Sequence, residues 1–414
     1  MKPARTVEWR LTSRAQKITS SAIREILKVT ERPEVISFAG GLPSPATFPL
    51  ERIQAACQTV LQGESAAAVQ YGPTEGYMPL REWVAERCAK HGAKVSPSRV
   101  LITTGSQQCI DLVSKVLVEK DRDLLVETPT YLGALQGFLL GEPRFVSVPC
   151  DEAGPIPPEL SALAAAPASC LYLLPNFQNP SGRRIPEERR RSLVDVAARH
   201  GLPIVEDDPY GELSYAGDKI PSLLSMNDQG VIYAGSFSKI LAPGLRVGYA
   251  IAPDEIFRKL VQVKQAADLH TPSFTQRVVY EVIKDGFLDD HVPTIRSLYA
   301  SQCRVMLDAL NAHFPRGARW TAPEGGMFIW VTLPPEIDCA ALLQKAIAQN
   351  VAFVPGAPFF VHAPLHNTFR LSFVTVPAEK IRAGIQILGR LIAEAIGGPP
   401  ATTSRAGGES QPAS

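Results

Sequence analysis

The sequence is short of the features that mark disulfide-stapled, membrane-spanning or nucleic-acid-binding chains. Seven cysteines are scattered over 414 residues, at 57, 88, 109, 150, 170, 303 and 339, and no two share a C-x-x-C spacing. An odd, dispersed set gives neither a disulfide framework nor a zinc knuckle, so these thiols read as inert core residues in a reducing compartment. An excess of one charge is also lacking: 42 Lys plus Arg stand against 41 Asp plus Glu, a formal net charge of +1. Neither nucleic acid nor an anionic membrane is therefore an expected partner. No apolar run reaches the roughly 18 residues of a membrane span. The N-terminal stretch has no apolar core of the secretory kind. It is basic up to Arg24, with Glu8 its only acid, a bias that an organellar presequence shares; the expectation is a ragged cytoplasmic start. The motifs G-x-G-x-x-G, G-x-x-x-x-G-K-[ST] and H-E-x-x-H are all missing, so dinucleotide, P-loop and zinc-protease readings have no motif behind them. His362 and His366 are four apart, but Pro364 stands between them, and no metal site is expected.

What is present is an ordinary globular composition, 45% hydrophobic and 20% charged, in a chain long enough for two or three domains. Thirty-six prolines suggest many short elements stopped by hard turns. Apolar runs at 100–103, 124–126, 170–174, 203–205, 231–235 and 247–251 alternate with helical patterns, one of which shows the face Ile110, Val113, Val116 and Leu117. Continuous apolar strands separated by helices predict an α/β fold, a mostly parallel sheet sandwiched by helices. After a long helix near 295–313, runs at 327–333, 351–354 and 368–373 and a closing helix near 378–395 predict a smaller α/β domain. The expected organisation is an arm with part of the small domain over 1–50, a large domain over 51–295, a small domain over 296–396 and a disordered tail over 397–414. The tail is almost all Gly, Pro, Ala, Ser and Thr, a composition that cannot offset its ordering entropy.

Open α/β sheets bind ligands at the carboxyl ends of their strands, so the residues that follow each strand carry the functional information. Thr104-Gly105-Ser106-Gln107 opens a helix, where free N–H groups suit an anion or a plain cap. Tyr131 and Asn179-Pro180-Ser181-Gly182 follow two further strands. Glu206-Asp207-Asp208-Pro209-Tyr210 follows a fourth, and three acids in a row exceed what capping needs. Ser236-Phe237-Ser238-Lys239 with Pro243-Gly244-Leu245-Arg246 is the most informative stretch. Two hydroxyls and a guanidinium suit a phosphate, and a partly desolvated lysine suits a carbonyl. Pyridoxal 5′-phosphate carries both groups.

Ser236-Phe237-Ser238-Lys239 and Gly244-Leu245-Arg246 resemble the cofactor-lysine signature of fold-type I, class I/II aminotransferases. Ser37-Phe38-Ala39-Gly40-Gly41-Leu42-Pro43, Gln70-Tyr71-Gly72-Pro73 and Phe369-Arg370-Leu371-Ser372 narrow the likeness to the subgroup of 2-aminoadipate and kynurenine/aminoadipate aminotransferases. The resemblance runs from about Arg14 to Ala395. It implies that Lys239 carries the cofactor and shuttles a proton. It implies a phosphate site of Ser106, Gln107, Ser236, Ser238 and Arg246, completed by Tyr71 of a partner subunit in a homodimer with shared sites. Tyr131 would stack on the pyridine ring, Asn179 and Tyr210 would bond its phenolic oxygen, and Asp207 would pair with its nitrogen. Arg370, with Asn179 and the backbone of Gly41, would clamp the substrate α-carboxylate, and Arg24 would meet a distal carboxylate. The implied activity moves an amino group from an L-amino acid to 2-oxoglutarate by a ping-pong route. The leading donor is 2-aminoadipate, with glutamate, aromatic and branched amino acids as further candidates. A lyase or decarboxylase on the same fold is one alternative. A non-catalytic sensor is the other; fewer than 40 residues precede Ser37, too few for the winged helix that such regulators carry.

Overall fold

The computed structural model describes residues 9–18, 32–63 and 65–397. Its centre is a seven-stranded sheet of β1 (Val100–Thr103), β2 (Asp123–Glu127), β3 (Arg144–Val148), β4 (Ala168–Leu173), β5 (Ile204–Asp207), β6 (Val231–Ser236) and β7 (Gly248–Ile251). Their order is β1-β7-β6-β5-β4-β2-β3. The apolar runs become central strands because both faces are covered: Val100, Leu101, Ile102, Leu124, Val126, Leu171 and Val205 are almost wholly buried. β3 has no such run, since Arg144 is exposed and Phe145 to Ser147 are half-buried, and the sequence pattern did not mark this edge strand.

Six strands point one way and β7 runs against both neighbours. That reversal matters for the site. The carboxyl ends of β1, β2, β4, β5 and β6 gather on one rim, and Gly248, the first residue of β7, lies opposite both Thr103 and Ser236. The segment entering β7 therefore delivers Arg246 to the rim that the other strands leave.

A second sheet joins β8 (Arg319–Trp320), β9 (Phe328–Thr332), β10 (Val354–Pro355) and β11 (Thr368–Ser372) in the order β8-β9-β11-β10, antiparallel throughout. Two long helices, Phe287–His313 and Ala378–Ile396, pack against each other beside it. The first begins about two turns earlier than the apolar pattern suggests and carries Pro293 inside it. Leu288, Val292 and Ile295 continue one buried face through the proline, and that burial keeps the turn helical despite the lost hydrogen bond. The run at 351–354 is not one strand. Val351–Ala352 pairs in parallel with Ile36–Ser37, whereas Val354–Pro355 joins β11. The split ties residues 36–38 to the small domain's strands: Phe38 N–H donates to the Ala352 carbonyl, and Ser372 N–H donates to the Phe38 carbonyl, both at 2.8 Å.

Candidate active site

Lys239, Ser106, Gln107, Tyr131, Asn179, Asp207, Tyr210, Ser236, Ser238, Arg246, Gly41 and Arg370 all line one cavity of about 270 Å³ at the carboxyl rim. Leu42, Leu174 and Pro209 complete its wall. Tyr71 is not among them: it is 78% exposed on this chain, with its ring edge-on to His270. Arg24 lies outside the described residues.

One end of the cavity is built for an anion. The helix Ser106–Leu117 opens here with its free N–H groups, and its cap residue Gly105 has φ 77°. A side chain at Gly105 would sit 2.5 Å from the Arg246 guanidinium, and one at Gly248 would sit 2.7 Å from the Gly105–Ser106 peptide. Only glycines let the turn, the strand and the guanidinium close on one point. Arg246 itself is in the left-handed region at φ 53° and donates from Nη2 to the Thr104 carbonyl at 3.1 Å. Ser238 N–H donates to Ser236 Oγ at 3.1 Å, which draws the two hydroxyl-bearing residues together. Gln107 Nε2 donates to the Gly133 carbonyl at 2.7 Å, fixing the turn after Tyr131.

The floor is set by strand alternation at the end of β5. Glu206 accepts from the N–H groups of Leu223 and Leu224 and so caps a short helix. Asp208 accepts from Asn176 and Tyr233. Asp207, between them, points the other way into the cavity. Its Oδ2 accepts from the Tyr172 hydroxyl at 2.6 Å, while Oδ1 is buried with no hydrogen-bond partner among the described residues. Burial, with a smaller push from Asp208, raises this carboxyl to about 7. A buried carboxylate oxygen without a donor is costly, and a ring N–H supplies what it lacks. The donor set therefore fits pyridoxal 5′-phosphate: hydroxyls, guanidinium and helix N–H groups for the phosphate, and Asp207 for the ring nitrogen.

Lys239 Nζ donates to the Gly41 carbonyl at 2.8 Å. Burial lowers its amine to about 8, with Arg370 and Arg246 pushing the same way. A substantial neutral fraction near physiological pH makes it a nucleophile and a base. Arg370, on β11 between β9 and β10, is 1% exposed. Nη1 donates to Asn179 Oδ1 at 2.7 Å and Nη2 to the Ala39 carbonyl at 2.6 Å, while Nε has no partner among the described residues. The guanidinium stacks on Phe328 and Phe359, 4.4 and 5.4 Å from the ring centres. Burial lowers it to about 10, which leaves it cationic at neutral pH. Among the described residues no carboxylate pairs with it. Tyr210 is buried edge-on to Phe328, and burial pushes its hydroxyl up, with an Asn179 hydrogen bond acting in the opposite sense.

Against these sites, the family model for aminotransferases of class I and II matches residues 34–388. The chain belongs to this family. It is 45% identical over 386 residues to the 2-aminoadipate transaminase of Thermus thermophilus, a match covering 91% of this chain and 95% of that one. It is 43% identical to aromatic-amino-acid aminotransferase 1 of Thermococcus litoralis, covering 95% and 96%. Among solved structures, LysN, an alpha-aminoadipate aminotransferase from Thermus thermophilus complexed with N-(5′-phosphopyridoxyl)-L-leucine, superposes with a TM-score of 0.88 at 43% identity, covering 94% of this chain and 98% of that one. The chain is a pyridoxal 5′-phosphate-dependent aminotransferase of fold type I.

Three contacts of this aminotransferase site arise from tertiary pairing and were not assigned from the sequence. Tyr172 sits in mid-strand and reads as core. The Ala39 carbonyl reaches Arg370 because Ile36–Ser37 pairs with Val351–Ala352 and Phe38 bonds to Ala352 and Ser372 beside it. Phe328 and Phe359, far apart in the chain, both place their rings against the guanidinium.

Proposed function

We propose that this aminotransferase takes its amino group from 2-aminoadipate and passes it to 2-oxoglutarate in a ping-pong cycle, with glutamate, aromatic and branched amino acids as further donors. The observation that carries the reading is Arg370: a buried cation against two aromatic rings, without a carboxylate partner among the described residues and open to the cavity. An incoming α-carboxylate completes it bidentately, and every amino or oxo acid substrate has one. The subgroup likeness and the names of the relatives support an acidic donor among the substrates.

The residues divide the labour. Ser106, Gln107, Ser236, Ser238 and Arg246 would hold the cofactor phosphate, and Asp207 the ring nitrogen. Tyr131 would cover the ring, and Asn179 and Tyr210 would bond its phenolic oxygen. Pyridoxal 5′-phosphate supplies an aldehyde that captures amines and a ring that accepts the electron pair left on the substrate α-carbon. Arg370, Asn179 and the Gly41 backbone orient the substrate by its carboxylate. Lys239 Nζ takes up the proton released from the α-carbon, a task its lowered basicity suits.

Two further readings belong to this proposal. The exposed apolar residues Val69, Tyr71 and Met78 suit a second copy of the chain, with Tyr71 completing the partner's phosphate site. Seven free cysteines and, among the described residues, no helix long and apolar enough to cross a membrane are compatible with a cytoplasmic enzyme.

Arg24 supplies the test of substrate class. With 2-oxoglutarate as acceptor, Arg24→Ala is expected to lower kcat/KM for 2-aminoadipate and glutamate by about tenfold to a hundredfold, leaving leucine and phenylalanine nearly unchanged. A donor panel measured on both proteins checks this. An unchanged profile removes Arg24 from the site and the preference for acidic donors loses its residue.

A further inference from the structure

Tyr172 is the fully buried residue whose hydroxyl touches the cavity floor, and the proposed cycle leaves it without a role. It lies on β4 next to Val126 of β2 and Val205 of β5, and its ring packs edge-on against Phe138 at 5.5 Å. A buried tyrosine hydroxyl needs an acceptor, and any carbonyl would serve. This one donates at 2.6 Å to Oδ2 of Asp207, among the described residues the single carboxylate that lines the cavity. The bond occupies one carboxylate oxygen and leaves Oδ1 without a partner among the described residues. We propose that Tyr172 is a positioning residue that favours the ionised form of Asp207 and leaves its Oδ1 free for the cofactor's ring nitrogen. The inference rests on the pairing of Asp207 with that nitrogen.

Opposing influences act on the Asp207 carboxyl. A hydroxyl that donates to a carboxylate favours its charged form, whereas burial and the neighbouring Asp208 favour the neutral one. The other titratable groups that feel Asp207 are Tyr131 and Tyr210 across the cavity and Cys109 on the helix Ser106–Leu117. Burial, first among the causes, raises all three, so none adds a counter-charge. The cations Lys239, Arg246 and Arg370 share the cavity wall. Among the described residues Tyr172 is the only hydrogen-bond donor to the Asp207 carboxylate. Without it the carboxyl stays protonated to higher pH and cannot hold a positive charge on a ring nitrogen.

Tyr172→Phe removes the hydroxyl and keeps the ring against Phe138. In full-length protein stripped of cofactor, dissociation constants are measured from pH 6 to 9 for two probes. One is pyridoxal 5′-phosphate; the other is its analogue with C–H in place of the ring nitrogen. The variant is expected to bind pyridoxal 5′-phosphate about tenfold more weakly near neutrality. That loss shrinks as pH rises, and the midpoint of the affinity curve moves up by about one pH unit. Affinity for the analogue stays as in wild type. Equal losses for both probes, or parallel pH curves, assign Tyr172 to packing alone and overturn the inference. A wild type that binds both probes equally overturns the Asp207 pairing beneath it, a separate failure.

Discussion

Lys239→Ala is expected to lower amino-group transfer by at least about 10⁴-fold, because in the proposed cycle Lys239 is both the covalent attachment point and the proton carrier. The structure gives the reason for so large an effect. The Lys239 amine leaves β6 into the cavity, and the Gly41 carbonyl holds it at 2.8 Å. Among the described residues it is the one lysine that lines the cavity. Borohydride treatment of wild-type holoenzyme should fix the cofactor irreversibly on the peptide that contains Lys239. The alanine variant should release it on gel filtration after the same treatment. Substantial transamination in the variant, with cofactor fixed on a different lysine, would refute the assignment.

Arg370→Lys is the second large effect. A lysine preserves the charge but loses the planar fork that meets a carboxylate with two parallel bonds, and it cannot bond both Asn179 and Ala39 as Arg370 does. kcat/KM is expected to fall by about 10²-fold, the scale of losing half of a buried charge-assisted pair. The diagnostic feature is symmetry. Every donor and acceptor offers the same α-carboxylate, so the loss should be alike for amino acids and oxo acids, acidic or apolar. Steady-state kinetics with two donors and two acceptors measures this. A loss confined to acidic substrates would move Arg370 from the α-carboxylate to the side-chain end.

The sheet and the rim residues were legible in the sequence because both depend on strand order along the chain. Apolar runs of four to six residues become central strands, and polar residues directly after them reach the rim. The family resemblance picked Asp207 out of the three acids, and the structure supplies the physical reason: alternation sends this carboxylate into the cavity and its neighbours to a helix cap and to Asn176 and Tyr233. Arg246 precedes its strand rather than following one, and it reaches the rim because β7 is antiparallel. β3 was missed for lack of an apolar run, a consequence of its edge position. Asn179 was legible as a companion of Arg370, but the remaining contacts of Arg370 and Asp207 were not, for a different reason. Phe328, Phe359 and Tyr172 are residues whose roles come from tertiary pairing, with no local pattern to distinguish them from core, and the motif that contains Ala39 does not show which side chain its carbonyl meets.

The most direct test of the central claim follows the nitrogen itself. Purified holoenzyme is supplied with ¹⁵N-labelled 2-aminoadipate and unlabelled 2-oxoglutarate, and the products are quantified by mass spectrometry. The account predicts one labelled glutamate for every 2-oxoadipate formed, with no free labelled ammonia and no loss of carbon dioxide. Labelled ammonia or decarboxylated amine without labelled glutamate would contradict it and assign the site to a lyase or a decarboxylase instead.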